Sequence, residues 1–183
     1  MCPCVRNNLL VFSALMFKVE QAYVTKSNKG EIKLSHRILE EQAIQVDVTA
    51  IDWEDAVRIC GEILVKTGKV EAVYVEAMIR HINVLGPYIL IAPCVAMPHA
   101  RPEDGVIQAG ISVVVLKEEV AFKPGKECKV LIGLAALDSR SHINILQKIA
   151  EVISDKESME RLKNATESAE VLRLFNEKKE YEK

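Results

Sequence analysis

The segment GPYILIAPCVAMPHARPEDGV, residues 86–106, is the part of the sequence around which the predicted fold is arranged. It opens with the turn-forming pair Gly-Pro and continues at 88–92 as a short apolar run, which predicts a buried β-strand. Pro93 and Pro98 restrict the backbone on both sides of the sequence CVAM. The sequence therefore predicts that His99 occupies a defined position on a braced loop at the exit of a buried strand.

This loop places an imidazole beside a cation, because His99 is followed closely by Arg101. A neutral imidazole is a nucleophile near neutral pH, and a guanidinium can hold phosphate oxygens in bidentate fashion. The pattern favours a site that handles anionic groups. From spacing alone, a capped or solvent-facing histidine is the more frequent alternative, and Arg101 could form a weak surface ion pair with Glu103 or Asp104.

The composition narrows the class of protein. The chain has 183 residues, 49% hydrophobic content and a net charge of -2, which indicates one domain with a proper core. Interspersed charges and only 5% aromatic residues argue against nucleic-acid binding. No apolar run approaches the ~20 residues that span a bilayer, so we expect no direct membrane insertion.

The cysteines are not spaced like a disulfide framework, and we expect free thiols in a reducing cytoplasm. Cys94 has apolar neighbours and is predicted to be a packing residue. The five cysteines are Cys2, Cys4, Cys60, Cys94 and Cys128.

The order of predicted elements is typical of an α/β protein, in which helices flank a small mixed β-sheet on both faces. Residues 34–177 are predicted to form one domain, preceded by an extension of uncertain order at 1–33 and followed by a frayed tail at 178–183. Strands are predicted at 44–48, 88–92, 109–116, 120–122 (a short edge strand) and 128–137. Helices are predicted at 34–42, between Asp52 and Gly68, at 71–85, at 142–153, and after Asp155 and Thr166.

The motif A-M-P-H-A after an apolar strand resembles the active-site signature of the mannitol/fructose-type enzyme IIA domains of the bacterial sugar phosphotransferase system. The longer pattern GPY-x-x-IAP-x-x-AMPHARPE-x-GV is similar to the ascorbate-type branch, and the resemblance extends from about residue 34 to about residue 175. It implies a phosphotransferase component that forms a phosphohistidine at His99. The group would come from the phosphocarrier protein HPr and pass to a cysteine of a separate enzyme IIB, which works with a membrane enzyme IIC in ascorbate uptake.

The resemblance also implies a second active-site histidine. His142 opens a predicted helix within a D-x-x-x-H pattern that begins at Asp138, and a helix N-terminus favours an anion. We expect His142 to orient His99 or to bind phosphoryl oxygens without accepting the group. Taken by itself, His142 would more simply be an exposed residue of the first helical turn. Arg101 is expected to bind phosphate or an acidic partner loop.

The mannitol-type members carry an arginine in the helix before the active loop, where this chain has Arg80 and His81. The pattern does not decide between them, and neither is assigned a role. The resemblance implies no cofactor and no metal, and self-association is left open.

Two other functions are considered. One is a phosphorylation-dependent regulatory module of the same fold. The other is a metal hydrolase using His81, His99 and His142, for which no H-x-x-x-H or H-E-x-x-H spacing is present.

Overall fold

A five-stranded mixed β-sheet lies at the centre of the described part of the chain. The computed structural model describes residues 39–137 and 139–176, and for residues 139–142 and 144 it describes the backbone alone. The sheet order is β1-β4-β5-β3-β2, with β4–β5 and β2–β3 antiparallel and β1–β4 and β3–β5 parallel. The strands are β1 Ile44–Val48, β2 Leu90–Ala92, β3 Cys94–Ala96, β4 Gly110–Lys123 and β5 Lys126–Ala135.

Five α-helices accompany this sheet in the described ranges. Two of them begin at the carboxylates that the sequence predicts as caps: the Asp52 side chain accepts a hydrogen bond from the Asp55 N–H at 2.9 Å, and Asp155 accepts from the Ser158 N–H at 2.8 Å. The helices are α1 Trp53–Lys66, α2 Val73–Leu85, α3 Ser139–Ser154, α4 Lys156–Lys163 and α5 Ser168–Asn176.

The two central strands are covered on both faces. Residues 111–116 of β4 are each at most 2% exposed, and residues 130–135 of β5 are all buried. Successive side chains of a strand point to opposite faces, so continuous burial means that both faces of the sheet are packed. The predicted α/β class with a mixed sheet is confirmed.

The strand before the site differs from the prediction. The apolar run at 88–92 contributes only β2, which is half-buried and lies at the edge of the sheet. The chain then reverses at Pro93, and β3 returns antiparallel to β2 and parallel to β5. His99 therefore follows β3, not the strand predicted at 88–92. The reversal places Cys94 at φ +62°, a left-handed conformation that is uncommon for a residue other than glycine.

Three further helix and strand boundaries differ from the prediction. The edge strand predicted at 120–122 is the far end of the long strand β4, which pairs with β5 along most of its length. Residues 41–43 form a short 3-10 turn where a helix was predicted for 34–42, and 34–38 lie outside the described residues. Helix α2 begins at Val73, two residues after the predicted start, and the Glu71 N–H before it donates to the Gly105 carbonyl at 2.8 Å.

In the described ranges, no helix combines the length and the apolar character that crossing a bilayer requires. The predicted extension at 1–33 and the tail at 178–183 lie outside the described residues.

Candidate active site

The loop that carries His99 is attached to the end of the central strand β5. The Leu134 N–H donates to the Pro98 carbonyl at 3.0 Å, and His99 forms an isolated parallel bridge with Leu134. On the other side, the Met97 N–H donates to the Ile89 carbonyl at 2.8 Å. Because proline supplies no N–H of its own, these bonds from neighbouring elements set the path of the loop.

One nitrogen of the His99 ring is hydrogen-bonded to the loop backbone, and this bond fixes the protonation of both nitrogens in the neutral ring. Nδ1 lies 2.9 Å from the Met97 carbonyl oxygen. A carbonyl can only accept, so in this contact Nδ1 carries the hydrogen and Nε2 carries the lone pair. The geometry therefore selects the tautomer in which Nε2 is the nucleophilic nitrogen.

The surroundings of His99 favour its neutral form. Burial is the main cause that lowers the pKa of His99 from its ordinary value. The hydrogen bond to Met97 opposes this shift, and the nearby His81 adds to it. A histidine that stays neutral at pH 7 keeps a lone pair available.

Two tyrosine hydroxyls also contact the loop. The Tyr88 hydroxyl donates to the His99 carbonyl at 3.1 Å, and its ring stands edge-on to the imidazole with centroids 5.3 Å apart. Tyr74, only 1% exposed, lies between the loop and β5. Its hydroxyl is 2.8 Å from the Leu134 carbonyl and accepts the Ala100 N–H at 2.9 Å.

Arg101 lies at the exposed rim of the loop. Its backbone N–H donates to Asp104 Oδ2 at 3.0 Å, but its guanidinium takes part in none of the ion pairs found between described residues. The Asp104 carboxylate instead lies 3.7 Å from both Arg80 Nη2 and His81 Nε2. The weak surface ion pair of Arg101 with Glu103 or Asp104 that the sequence allows is therefore not found, and the Asp104 carboxylate faces the side chains of Arg80 and His81 on α2.

The helix predicted to open at His142 begins three residues earlier, at Ser139, so that His142 lies in the first turn of α3; its side chain lies outside the described residues, as does Asp138. Helix α3 begins at Ser139, shortly after β5 ends at Ala135. Leu134, which pairs with His99, lies at the end of β5. The start of α3 therefore comes shortly after the strand end to which the His99 loop is attached. The backbone at the start of α3 thus lies a few residues after the strand residue that pairs with His99.

Sequence reasoning did not link Tyr74 or Tyr88 to the His99 loop, nor Asp104 to His81. A signal existed for Tyr74, which is spaced on α2 like the buried residue Met78. A buried tyrosine usually finds a hydrogen-bond partner for its hydroxyl. Nothing local indicates that this partner would be the His99 loop.

Among the described side chains, no three histidine, cysteine, aspartate or glutamate residues are grouped so that they could hold a metal ion. Cys60, Cys94 and Cys128 are free thiols. Cys94, predicted to be a packing residue, is half-buried and pairs in register with Cys128.

Comparison with known proteins supports the resemblance seen in the sequence. A sequence model described as "Phosphoenolpyruvate-dependent sugar phosphotransferase system, EIIA 2" matches residues 37–178. The ascorbate-specific PTS system EIIA component of Escherichia coli K12 is 34% identical over 148 residues, which cover 79% of this chain and 96% of that protein.

Two solved structures from Escherichia coli share the fold. The mannitol-specific cryptic phosphotransferase enzyme IIA is 34% identical, with a TM-score of 0.69 over 79% of this chain and 98% of that one. An enzyme IIA(Mtl) solved in complex with phosphorylated enzyme IIB(Mtl) is 32% identical, with a TM-score of 0.67 over 75% and 96%. The chain belongs to the EIIA type 2 family of the phosphoenolpyruvate-dependent sugar phosphotransferase system.

Proposed function

We propose that this protein is a phosphoryl carrier that accepts a phosphoryl group on Nε2 of His99. The observation that carries the proposal is the contact between Nδ1 and the Met97 carbonyl at 2.9 Å, which leaves Nε2 with the lone pair. Burial lowers the pKa of this imidazole and keeps the nucleophile neutral. Membership of the EIIA family supplies the reaction class, since these components belong to a phosphotransferase system.

In the first step, the phosphohistidine of HPr would be the donor. Its phosphorus–nitrogen bond breaks as a bond forms between phosphorus and His99 Nε2. The Nδ1 proton stays in place, so the phosphorylated ring gains positive charge and its hydrogen bond to Met97 becomes stronger. In the second step, a cysteine thiolate of a separate enzyme IIB attacks phosphorus, and His99 returns to its neutral form.

The phosphoryl oxygens need donors, and the chain offers three sources that we propose act together. The first turn of α3 follows the end of β5 and has backbone N–H groups without helical partners. His142 in that turn would orient His99 or bind an oxygen. Arg101, exposed two residues after His99, would contact the phosphoryl group or an acidic partner loop.

Two relatives suggest which partners and which transported sugar to propose. One is an ascorbate-specific EIIA component, and another forms a complex with phosphorylated enzyme IIB. We propose ascorbate uptake, with enzyme IIB and the membrane enzyme IIC on separate chains. The free thiols of the described residues fit a site of action in the reducing cytoplasm.

The test is to reconstitute the relay with purified enzyme I, HPr and phosphoenolpyruvate, and to measure intact mass. One acid-labile phosphoryl group is expected, and fragmentation should locate it on His99. The loaded protein is then mixed with an ascorbate-type or a mannitol-type enzyme IIB, and transfer should be faster to the ascorbate-type partner. No uptake from phospho-HPr would refute the carrier function. Faster transfer to the mannitol-type partner would refute only the proposal that ascorbate is the transported sugar.

A further inference from the structure

The peptide unit that follows His99 is held by two tyrosine hydroxyls from outside the loop, that of Tyr88 at the His99 carbonyl and that of Tyr74 at the Ala100 N–H. We propose that Tyr74 and Tyr88 are positioning residues, which keep His99 in the rotamer and tautomer that expose Nε2. This inference rests on the proposed phosphoryl transfer to His99. Neither tyrosine is assigned contact with the phosphoryl group.

Tyr74 connects the loop to the end of β5. A hydroxyl has one proton, and the Leu134 carbonyl at 2.8 Å is a better acceptor than the Ala100 carbonyl at 3.1 Å. The hydroxyl therefore donates to Leu134 and accepts the Ala100 N–H at 2.9 Å. Leu134 in turn donates its N–H to Pro98 at 3.0 Å, so the residues before and after His99 are both tied to one strand residue.

The hydroxyl of Tyr74 is suited to a permanent role of this kind. Burial raises its pKa to about 12, so it keeps its proton throughout the physiological range. Without the hydroxyl, the Ala100 N–H and the Leu134 carbonyl would each lose a partner in a region with little access to water.

Tyr88 contacts His99 directly. Its hydroxyl donates to the His99 carbonyl at 3.1 Å, and its ring meets the imidazole at an interplanar angle of 84°. Together the two contacts restrict both the backbone and the rotation of the ring. Tyr88 is 38% exposed, so water can replace part of its hydrogen bond, and its effect should be smaller than that of Tyr74.

Positioning matters here because the contact between Nδ1 and Met97 depends on the ring angle. If the ring rotates, Nδ1 loses the Met97 carbonyl and Nε2 is no longer the defined nucleophile. A displacement of about 1 Å at a reacting atom can lower a rate by about 100-fold. A loose loop would therefore slow the transfer step without removing the partner-binding surface.

The first test compares Tyr74→Phe and Tyr88→Phe with wild type in uptake from phospho-HPr over a range of HPr concentrations. We expect the maximal rate to fall by about tenfold for Tyr74→Phe and about threefold for Tyr88→Phe, with little change in the half-saturating concentration. Ser112→Ala is the matched control. It removes a buried hydroxyl that donates to the Cys60 carbonyl at 2.8 Å and does not contact the His99 loop. Its rate should stay within about twofold of wild type.

The second test does not depend on activity. ¹⁵N NMR of the unphosphorylated protein reports the His99 tautomer, and hydrogen exchange reports the Ala100 N–H. Tyr74→Phe should speed exchange at Ala100 by at least about tenfold more than at core amides, and both variants should lower the Nδ1–H fraction. Ser112→Ala should do neither.

The outcomes separate the two ideas. If the wild-type protein takes up no phosphoryl group, the proposed function is refuted. The positioning role of Tyr74 and Tyr88 is then decided by the NMR and hydrogen-exchange measurements alone. If the tautomer and Ala100 exchange stay at wild-type values in both variants, or if rates fall no more than in Ser112→Ala, the positioning role is overturned. A rise in half-saturating concentration at an unchanged maximal rate would also overturn it, since that result indicates partner contact.

Discussion

His99 is placed so that its charged form is disfavoured in the folded protein. Burial contributes most to its lowered pKa, and the charge of His81 acts in the same direction. An unfolded chain would take up the proton near the ordinary imidazole value of about 6.5. The neutral ring is thus a property of the folded site, obtained by withdrawing the imidazole from water.

The first residue-scale prediction concerns pH. An NMR titration of His99 should give a midpoint below about pH 6.5. The rate of uptake from phospho-HPr should be constant around pH 7 and should fall only below about pH 6.5. Since the folded pKa is the lower one, the unfolded state binds the proton first as the pH falls. The contribution of His99 to the free energy of unfolding is therefore full above about pH 6.5 and is lost as the pH falls through the folded pKa. A midpoint above 6.5 would contradict the conclusion that the folded site lowers the pKa of His99.

The second prediction at this scale concerns removal of His99, the proposed nucleophile. His99→Ala should fold but take up no phosphoryl group, because it removes the ring nitrogen that the contact with Met97 orients. Circular dichroism checks the fold, and intact mass checks the uptake. Full labelling of this variant would show that the nucleophile lies elsewhere in the chain.

His142→Ala should have a different phenotype. The variant should still accept the group from HPr, because the backbone N–H donors of the α3 N-terminus are retained, but it should pass the group on slowly. Single-turnover transfer to enzyme IIB measures this step. The division of roles would be wrong if His142→Ala, like His99→Ala, took up nothing.

At the scale of elements, the contact between β4, β5 and α1 leaves no room for a side chain at one position. Gly133 of β5 pairs with Ser112 of β4, and a Cβ there would overlap Ser112 Oγ and lie 2.9 Å from Cys60 Sγ. The atoms around it are buried, so they cannot move into solvent. The next residue is Leu134, to which the His99 loop is attached.

Gly133→Ala should therefore lower the free energy of unfolding by roughly 1–3 kcal/mol through overpacking. Chemical denaturation measures the loss. The double variant Gly133→Ala with Ser112→Ala removes the overlapping oxygen and should recover part of the stability, giving a non-additive cycle. Additive losses would mean that the strand shifts as a whole and that Ser112 is not the limiting contact.

For the whole molecule, the described core begins at Leu39, which is 2% exposed, and the family match begins at residue 37. The extension predicted at 1–33 precedes both. The packed contacts that hold the site come from elements between β1 and α3. We therefore expect the extension to be dispensable for the site.

A chain that begins at Ile32 should be phosphorylated like the full chain, and its Tm should lie within about 3 °C of the full-length value, equivalent to roughly 1 kcal/mol for a chain of this size. Differential scanning calorimetry and the phosphoryl uptake assay measure the two quantities. A much larger drop in Tm would show that the apolar run at 9–17 packs onto the domain.

The sequence by itself was sufficient to predict the α/β class, the family and the helix starts at Asp52 and Asp155. Each depends on local information: a capping carboxylate acts within its own first turn, and apolar periodicity reports the burial of its own element. The motif around His99 is local as well. The predictions of the class, the family and the two caps are confirmed, because the residues responsible for each are neighbours in the chain.

The tertiary structure decided which elements meet at His99. The apolar run at 88–92 is indistinguishable by composition from a buried central strand, but pairing places it at the edge, because β3 takes the position beside β5. Likewise, no local pattern links Tyr74 to Ala100 or Asp104 to His81, since each pair is far apart in sequence and is joined only when α2 packs beside the loop. The tautomer and lowered pKa of His99 depend on burial and on bond angles, and these exist only after the chain has folded.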